Sequence, residues 1–600
     1  MIQLISRWGK EIDPGNILQE YPRPNLVRDS YFNLNGEWEC RINESETADF
    51  YDETIIVPFS PESMLSGVGK IVMPHQRLHY RKKFTLPEGF KKSRVLLHFG
   101  AVDQECSVFV NGIRVGGHKG GYLPFHFDIT DSLRQGENVL TLSVTDRTEQ
   151  SPHARGKQKL QKKGKYASLF YTPQSGIWKT VWMESVEKAY IEDVRITPLY
   201  DDSSVRFEIT VLNACKISGA ETSGGKASGG ETSGTVRLAV LERGVEIGQA
   251  EITVRQEKEI KQVISQEIKL DGFKPWTPDT PHLYDVIIRY GEDEVRSYFG
   301  MRKLSTGRDG KGILRFFLNN KPYFFNGILD QGYWPESLMT APSDEALVYD
   351  IIKLKEMGYN TIRKHVKIEA ERFYYHCDRL GMIVWQDIVN GGGRSYLTFL
   401  CYLPTLLPFV TAHFKDSHYK LFSRSDSQGK RLWLRECKAT IEHLYNVPSI
   451  GLWSAFNEGW GQFDAVKVTN LIHSLDSTRP VDHASGWYDQ HCGDVKSVHN
   501  YFRPIKAELD SRPFVLSEYG GYICHIPEHS YSQQVFGYLK CKDTNEFTHK
   551  FQDVMEEIRN ASKEGLCAAV YTQVSDVEEE ANGLYSYDRK VCKVNRPKRG

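Results

Sequence analysis

Up to about Glu187 the chain alternates apolar and polar positions. Runs such as Arg94–Phe99, Cys106–Val110 and Val139–Val144 place every second side chain on one face, the period of a half-buried β-strand. Asn111-Gly112, Gly116-Gly117 and Gly120-Gly121 stand between them as turn signals, and Asn-Gly between two alternating runs is the strongest short hairpin signal. Many short strands at this spacing predict a jelly-roll β-sandwich over residues 1–187. A second all-β stretch, with strands Val205–Leu212, Val236–Leu241 and Val286–Tyr290, predicts another sandwich over 188–304. It is interrupted at 218–234, where 14 of 17 residues are Gly, Ser, Ala or Thr, a composition that cannot bury apolar surface and so predicts a flexible insertion.

After Ser305 the rhythm becomes strand then helix. Eight apolar strand candidates follow in order: Tyr323–Ile328, Asn360–His365, Met382–Gln386, Ile450–Phe456, Pro480–Ala484, Ser497–Tyr501, Phe514–Ser517 and Ala568–Thr572. Amphipathic stretches such as Asp344–Met357 and Ala370–Leu380 lie between several of them. Eight such units predict a TIM (β/α)8 barrel over 305–600. An open doubly wound sheet competes, but no Gly-rich phosphate loop follows the first strand. The long connection from Asn390 to about Gly429 reads either as a lid over the barrel mouth or as a helical hairpin on its outside.

Composition narrows the function. Lys and Arg number 76 against 77 Asp and Glu, a net charge of −1, so nothing draws the chain to nucleic acid or an anionic membrane. The most apolar segment, Tyr396 to Val410, is short and broken by Pro404 and Pro408, too short to span a bilayer. Eleven cysteines without a CxxC pair predict free thiols in a reducing compartment. With no secretory signal in the first residues, a cytoplasmic location is expected.

The barrel's strand ends hold the reactive side chains, because a TIM barrel builds its active site there. The fourth strand ends in Asn457-Glu458 and the seventh in Glu518, so two carboxylates 60 residues apart in sequence meet at one mouth. Desolvation at a strand end raises a carboxyl pKa and suits it to acid catalysis. A carboxylate pair in unlike surroundings is what glycosidic cleavage requires, one donating a proton and the other attacking or activating water. Around the pair, Tyr501 is placed to hydrogen-bond the nucleophile, and Trp460, Trp487 and Tyr571 to stack on a sugar's apolar face. Asp387 and His365 complete a polar rim. His365 with Glu369 lacks the second histidine of a zinc motif, so no metal ligand set is assigned.

These strings, in this order, resemble glycoside hydrolase family 2, the group of β-galactosidases, β-glucuronidases and β-mannosidases. The resemblance runs through Leu34-Asn-Gly-Glu-Trp38, Val108-Phe-Val-Asn-Gly112, Ser175-Gly-Ile-Trp178, Trp276-Thr-Pro-Asp-Thr-Pro-His-Leu-Tyr284 and Phe299-Gly-Met-Arg302 to Trp453-Ser-Ala-Phe-Asn457-Glu458 and Ser517-Glu518-Tyr519-Gly520. It implies that the second sandwich is immunoglobulin-like. It also implies that Glu458 is the acid/base, Glu518 the nucleophile and Asn457 a donor to the sugar 2-hydroxyl, with configuration retained and no cofactor or metal. The implied partner is a small carbohydrate; whether the chain forms a homo-oligomer stays open.

Three departures bear on the sugar. Arg363-Lys364-His365 does not space its Arg and His as many members do, which leaves the placement of His365 open. Glu580 and Asn582 stand where the family's β-glucuronidases carry an Asn and a Lys for the substrate carboxylate, which disfavours a glucuronide. Strand eight ends Tyr571-Thr-Gln573 where many members have a tryptophan. An exo-acting β-glycosidase for a neutral sugar is therefore expected, β-galactoside first, with β-mannoside and β-glucoside open. The competing reading is a non-catalytic carbohydrate-binding protein.

Overall fold

The computed structural model describes residues 3–160, 169–213, 234–254, 261–391, 403–404, 414–508 and 510–595. The Gly/Ser-rich insertion up to 233 and half of the 390–429 connection fall outside them.

The first sandwich packs a six-stranded antiparallel sheet, built around Arg77–Thr85 and Glu137–Thr145, on a four-stranded one holding Arg94–Phe99 and Val181–Val186. Their inner faces meet in a core that includes Trp38, Tyr80, Val95, Phe99 and Leu142, all buried. Asn111 and Gly112 both take positive φ (53° and 81°) and turn Glu105–Val110 into Ile113–Lys119, the predicted hairpin. Gly116-Gly117 is not a turn. It lies inside the second of those strands, where a Cβ on Gly116 would come within 2.1 Å of the Phe127 ring, so glycine is needed for close sheet packing. The second sandwich faces a three-stranded sheet, Tyr190–Leu199, Ser204–Leu212 and Lys261–Lys269, with a four-stranded one.

A short antiparallel meander, Leu304–Arg308, Leu314–Leu318 and Lys321–Tyr323, then carries the chain to the barrel. Its Phe316 packs against Phe325 and Trp385, closing the barrel's lower end, so the first barrel strand starts at Phe325 and not at Tyr323. The barrel strands are β1 (Phe325–Asp330), β2 (Thr361–Lys364), β3 (Ile383–Asp387), β4 (Ile450–Ser454), β5 (Val481–Asp482), β6 (Lys496–Asn500), β7 (Phe514–Gly520) and β8 (Leu566–Thr572). All are parallel, in the order 5-4-3-2-1-8-7-6, a nearly closed barrel whose seam lies between β5 and β6.

Helix α1 (Asp344–Glu356) follows β1, with Ser343 accepting from the Ala346 N–H as its cap. Helix α2 (Glu371–Leu380) follows β2, α3 (Ser427–Leu444) precedes β4, α4 (Ala465–Leu475) follows it, and α5 (Thr544–Glu564) precedes β8. Among the described residues no helix follows β5 or β6, so the pattern of eight strand–helix units is incomplete on that side. The same residues contain no helix long and apolar enough to cross a membrane.

Candidate active site

Eight of the nine predicted site residues lie at the upper end of the barrel, all but Tyr571, and a register shift decides how. Val515 faces the barrel interior and Leu516 the outer layer, so simple alternation would turn Glu518 outward. Between β6 and β7 the pairing passes from Val498↔Leu516 to His499↔Glu518, which leaves Ser517 as an extra residue. This bulge rotates Glu518 inward and sends Tyr519 to the outer layer. Glu458 is placed by another local device. It follows β4 with φ at +54°, a left-handed conformation that a glutamate rarely adopts, and its N–H donates to Ser485 O at 2.9 Å.

A carboxylate oxygen of Glu458, a ring nitrogen of His499 and a carboxylate oxygen of Glu518 all lie within 4.8 Å of one another. His499 stands between the acids, Nδ1 at 3.1 Å from Glu458 Oε1 and Nε2 at 3.5 Å from Glu518 Oε1. Gly486, at φ +93°, makes room for it: a Cβ there would sit 2.7 Å from the imidazole.

Glu518 is 5 % exposed. The Tyr501 hydroxyl donates to its Oε2, and Arg363 Nη1 donates to Oε1 at 3.1 Å. Burial alone would push this carboxyl up, but the charges of His499, Arg363 and His365 and the Tyr501 hydroxyl outweigh it and hold Glu518 below the usual carboxylate range. The shift is opposite to the one expected for a strand-end acid. It suits a group that must stay ionised.

Arg363, on β2, ties the mouth together. Its Nε and Nη2 bind the two oxygens of Asp387, each at 3.0 Å, Nη2 also donates to Asn457 Oδ1 at 2.9 Å, and Nη1 reaches Glu518. Asp387 and His365 are therefore not rim groups. Both are buried, and His365 Nδ1 lies 2.9 Å from Asp387, whose carboxylate is held low by Arg363 and His365 despite burial. Asn457 Oδ1 is thus taken by Arg363.

The aromatic expectations divide. Trp460 is buried beside Glu458, Asn457 and His365 and meets Phe170 of the first sandwich edge-on at 5.3 Å. Trp487 is half-buried, its ring 5.5 Å from His499 on the side of the barrel seam. Tyr571 is misplaced by the sequence reading. Val570 takes the inward position on β8 and Tyr571 the outward one, fully buried against Tyr519 and Phe551 between barrel and helix, where no sugar reaches it.

Several site residues escaped the sequence reading. In the sequence Arg363 stands out only by its spacing, and no motif marks His499, although it shares the inward face of β6 with Tyr501 two residues on. The first sandwich also enters the site. Its Tyr171 hydroxyl donates to Glu580, which takes a second bond from Asn582 Nδ2 at 3.0 Å, while Asn582 Oδ1 accepts from Gln573 at 2.8 Å. No local pattern announces a partner 409 positions away.

Comparison with known proteins agrees with this architecture. Models of the glycosyl hydrolases family 2 sugar binding domain, of glycosyl hydrolases family 2, and of the family 2 TIM barrel domain match residues 68–173, 189–302 and 312–593. A β-galactosidase of Thermoanaerobacter pseudethanolicus is 26 % identical over 86 % of this chain, and one of Streptococcus thermophilus is 21 % identical over 73 %. The chain covers 62 % and 38 % of those two proteins, less than two thirds of either. Among solved structures, a β-galacturonidase from Eisenbergiella tayi bound to galacturonate superposes with a TM-score of 0.69 at 18 % identity, each chain covered to 96 %. A β-D-glucuronidase of Dictyoglomus thermophilum gives 0.68 at 19 % identity, covering 95 % of this chain and 96 % of its own.

Proposed function

The chain belongs to glycosyl hydrolases family 2, and from that premise we propose that it is an exo-acting, retaining β-glycosidase working by double displacement. The observation that carries this reading is the short carboxylate separation, within 4.8 Å, with the two acids in unlike surroundings. Retaining enzymes hold their carboxyl groups ~5–5.5 Å apart, whereas inverting ones leave ~6.5–9.5 Å for a water. Glu518, kept ionised by Arg363, His499 and Tyr501, attacks the anomeric carbon. Glu458, facing His499 across the gap, gives its proton to the glycosidic oxygen and the aglycone departs. In the second half Glu458 takes a proton from water, which attacks the glycosyl ester and releases the sugar with its configuration retained. Asn457 holds the sugar 2-hydroxyl, and Arg363 fixes Asn457, Asp387 and Glu518 relative to one another.

For the glycone we propose a neutral β-hexoside, β-galactoside first. The β-galactosidase relatives support this, and so does the pair Glu580 and Asn582 in place of a carboxylate-binding Asn and Lys. Nine unpaired cysteines among the described residues support a reducing, cytoplasmic setting. An initial-rate screen of 4-nitrophenyl β-galactoside, β-glucoside, β-mannoside, β-xyloside and β-glucuronide, with Glu518→Ala as control, tests the proposal. One preferred substrate whose turnover the variant abolishes is the expected result. Added azide should restore that variant's turnover as a glycosyl azide of inverted configuration. An azide product of retained configuration would remove Glu518 from the nucleophile's role.

A further inference from the structure

Beside Glu458 lies a recess of about 30 Å3, room for a group the size of a carboxylate, lined in part by Lys157, Phe170, His365, Asn457, Glu458 and Trp460. Glu518 and Tyr501 are not in its lining, so it opens on the acid/base and not on the nucleophile. Since the acid/base touches the leaving oxygen, the recess opens toward the aglycone, with Asn457 marking its border with the glycone.

Its cation comes from the first sandwich. Lys157 is half-buried and has no ion-pair partner among the described residues; its ammonium lies only 5.9 Å from the Phe170 ring. Of the acids around it, Glu458 lines the same recess, and Glu580, which feels the Lys157 charge, is occupied by Tyr171 and Asn582. Two residues earlier Arg155 is 5 % exposed, with Nε and Nη1 unpaired and its guanidinium 5.5 Å from the Trp460 ring. Its neighbouring acid, Glu149, accepts from the Leu160 N–H at 3.1 Å. Arg424 is 1 % exposed, donates Nε to Gly461 O at 3.3 Å and leaves Nη2 unpaired. The acids near Arg424 are engaged too, Asp426 with the Gly429 N–H and Glu436 with His153. Arg155 does not line the recess itself; it lies over the Trp460 ring that does, and so adds positive charge beside it.

We infer that Lys157, supported by Arg155, forms an anion subsite on the leaving-group side of Glu458, so that the favoured glycoside carries a negatively charged group, a carboxylate or sulfate, on its aglycone. The inference rests on the glycosidase reading and adds the substrate class to it. It also gives the first sandwich a direct part in selecting substrate.

The test compares 3-carboxyphenyl with 3-carbamoylphenyl β-galactoside, near-isosteric aglycones of which the amide is the better leaving group, and repeats the pair on whichever glycone the screen prefers. The wild-type chain should favour the acid by about tenfold in kcat/KM, chiefly through KM, the size of one charge-assisted hydrogen bond. Lys157→Gln should bring that ratio to near one and Lys157→Arg should restore it. A wild-type ratio near one, or a ratio that Lys157→Gln leaves unchanged, overturns the subsite while the glycosidase reading stands. A Lys157-dependent preference for 4-nitrophenyl β-galacturonide over β-galactoside would move the charge to the glycone and overturn the placement. Absence of turnover with every glycone overturns the glycosidase reading, and the subsite with it.

Discussion

Glu518 is a buried carboxyl that its neighbours keep ionised, and the Tyr501 hydroxyl is the most easily removed of them. Tyr501→Phe deletes one donor to the charged form, worth about 1.5–3 kcal/mol. It should lower kcat/KM by about 10- to 100-fold and shift the acidic limb of the pH profile upward. The sign follows from the depressed pKa: activity needs the ionised carboxylate, so raising its pKa costs activity at the acid end first. A loss with an unmoved acidic limb would leave Tyr501 a merely structural role. At this scale the sequence was readable where a motif spells out the chemistry, as in Asn457-Glu458 and Ser517-Glu518. It was silent where a residue acts through others. Arg363 contacts Asp387, Asn457 and Glu518 from three other strands, and only the closed barrel brings those together.

The alternation of a strand decides which of its residues belong to the site, and β8 and β7 show both outcomes. On β8 the pairing skips Cys567, but from Ala568 onward alternation holds and turns Tyr571 into the outer layer, with its hydroxyl buried and unpartnered. Tyr571→Phe removes that unsatisfied group and should raise the unfolding midpoint slightly without changing KM. Tyr571→Ala, which opens a cavity, should cost about 3–5 kcal/mol in chemical denaturation. A rise in KM for Tyr571→Phe would instead put the hydroxyl in contact with substrate. On β7 the extra Ser517 breaks the alternation and delivers Glu518 to the interior. All eight barrel strands were legible, because buried parallel strands read as apolar runs. The bulge was not, because it arises from pairing with β6, which the string Ser-Glu-Tyr does not encode.

Across the whole molecule the first sandwich is joined to the barrel by buried polar contacts. The Thr172 N–H donates to Glu578 at 2.9 Å and the Ser6 N–H to Glu336 at 3.1 Å, while Lys179 Nζ reaches Glu369 O at 3.2 Å. Burial pushes Glu578 up to about 7 and, within the sandwich, Glu62 up to about 8. Groups whose folded pKa is raised bind protons more tightly when folded, so their contribution to stability falls as pH rises from the ordinary carboxylate range through 7 to 8. Relative to the wild-type chain, Glu62→Gln with Glu578→Gln should therefore gain thermal stability as pH rises from 5.5 to 8.5. A difference between the two midpoints that stays constant across this range would show these carboxyls to be ionised throughout it in the folded protein. The order of two sandwiches and a barrel was legible because strand and helix periodicities differ. The sandwich's entry into the site was not, since Tyr171 and Lys157 sit in a stretch without distinctive pattern.

The pairing of Glu458 and Glu518 as acid/base and nucleophile rests on their short separation, and the stereochemistry of the first product tests it most directly. Proton NMR of the anomeric region, during the first minutes of hydrolysis of the preferred β-glycoside, should show the β-anomer appear first and then mutarotate. First appearance of the α-anomer would mean a single displacement by water and would contradict the double-displacement pairing.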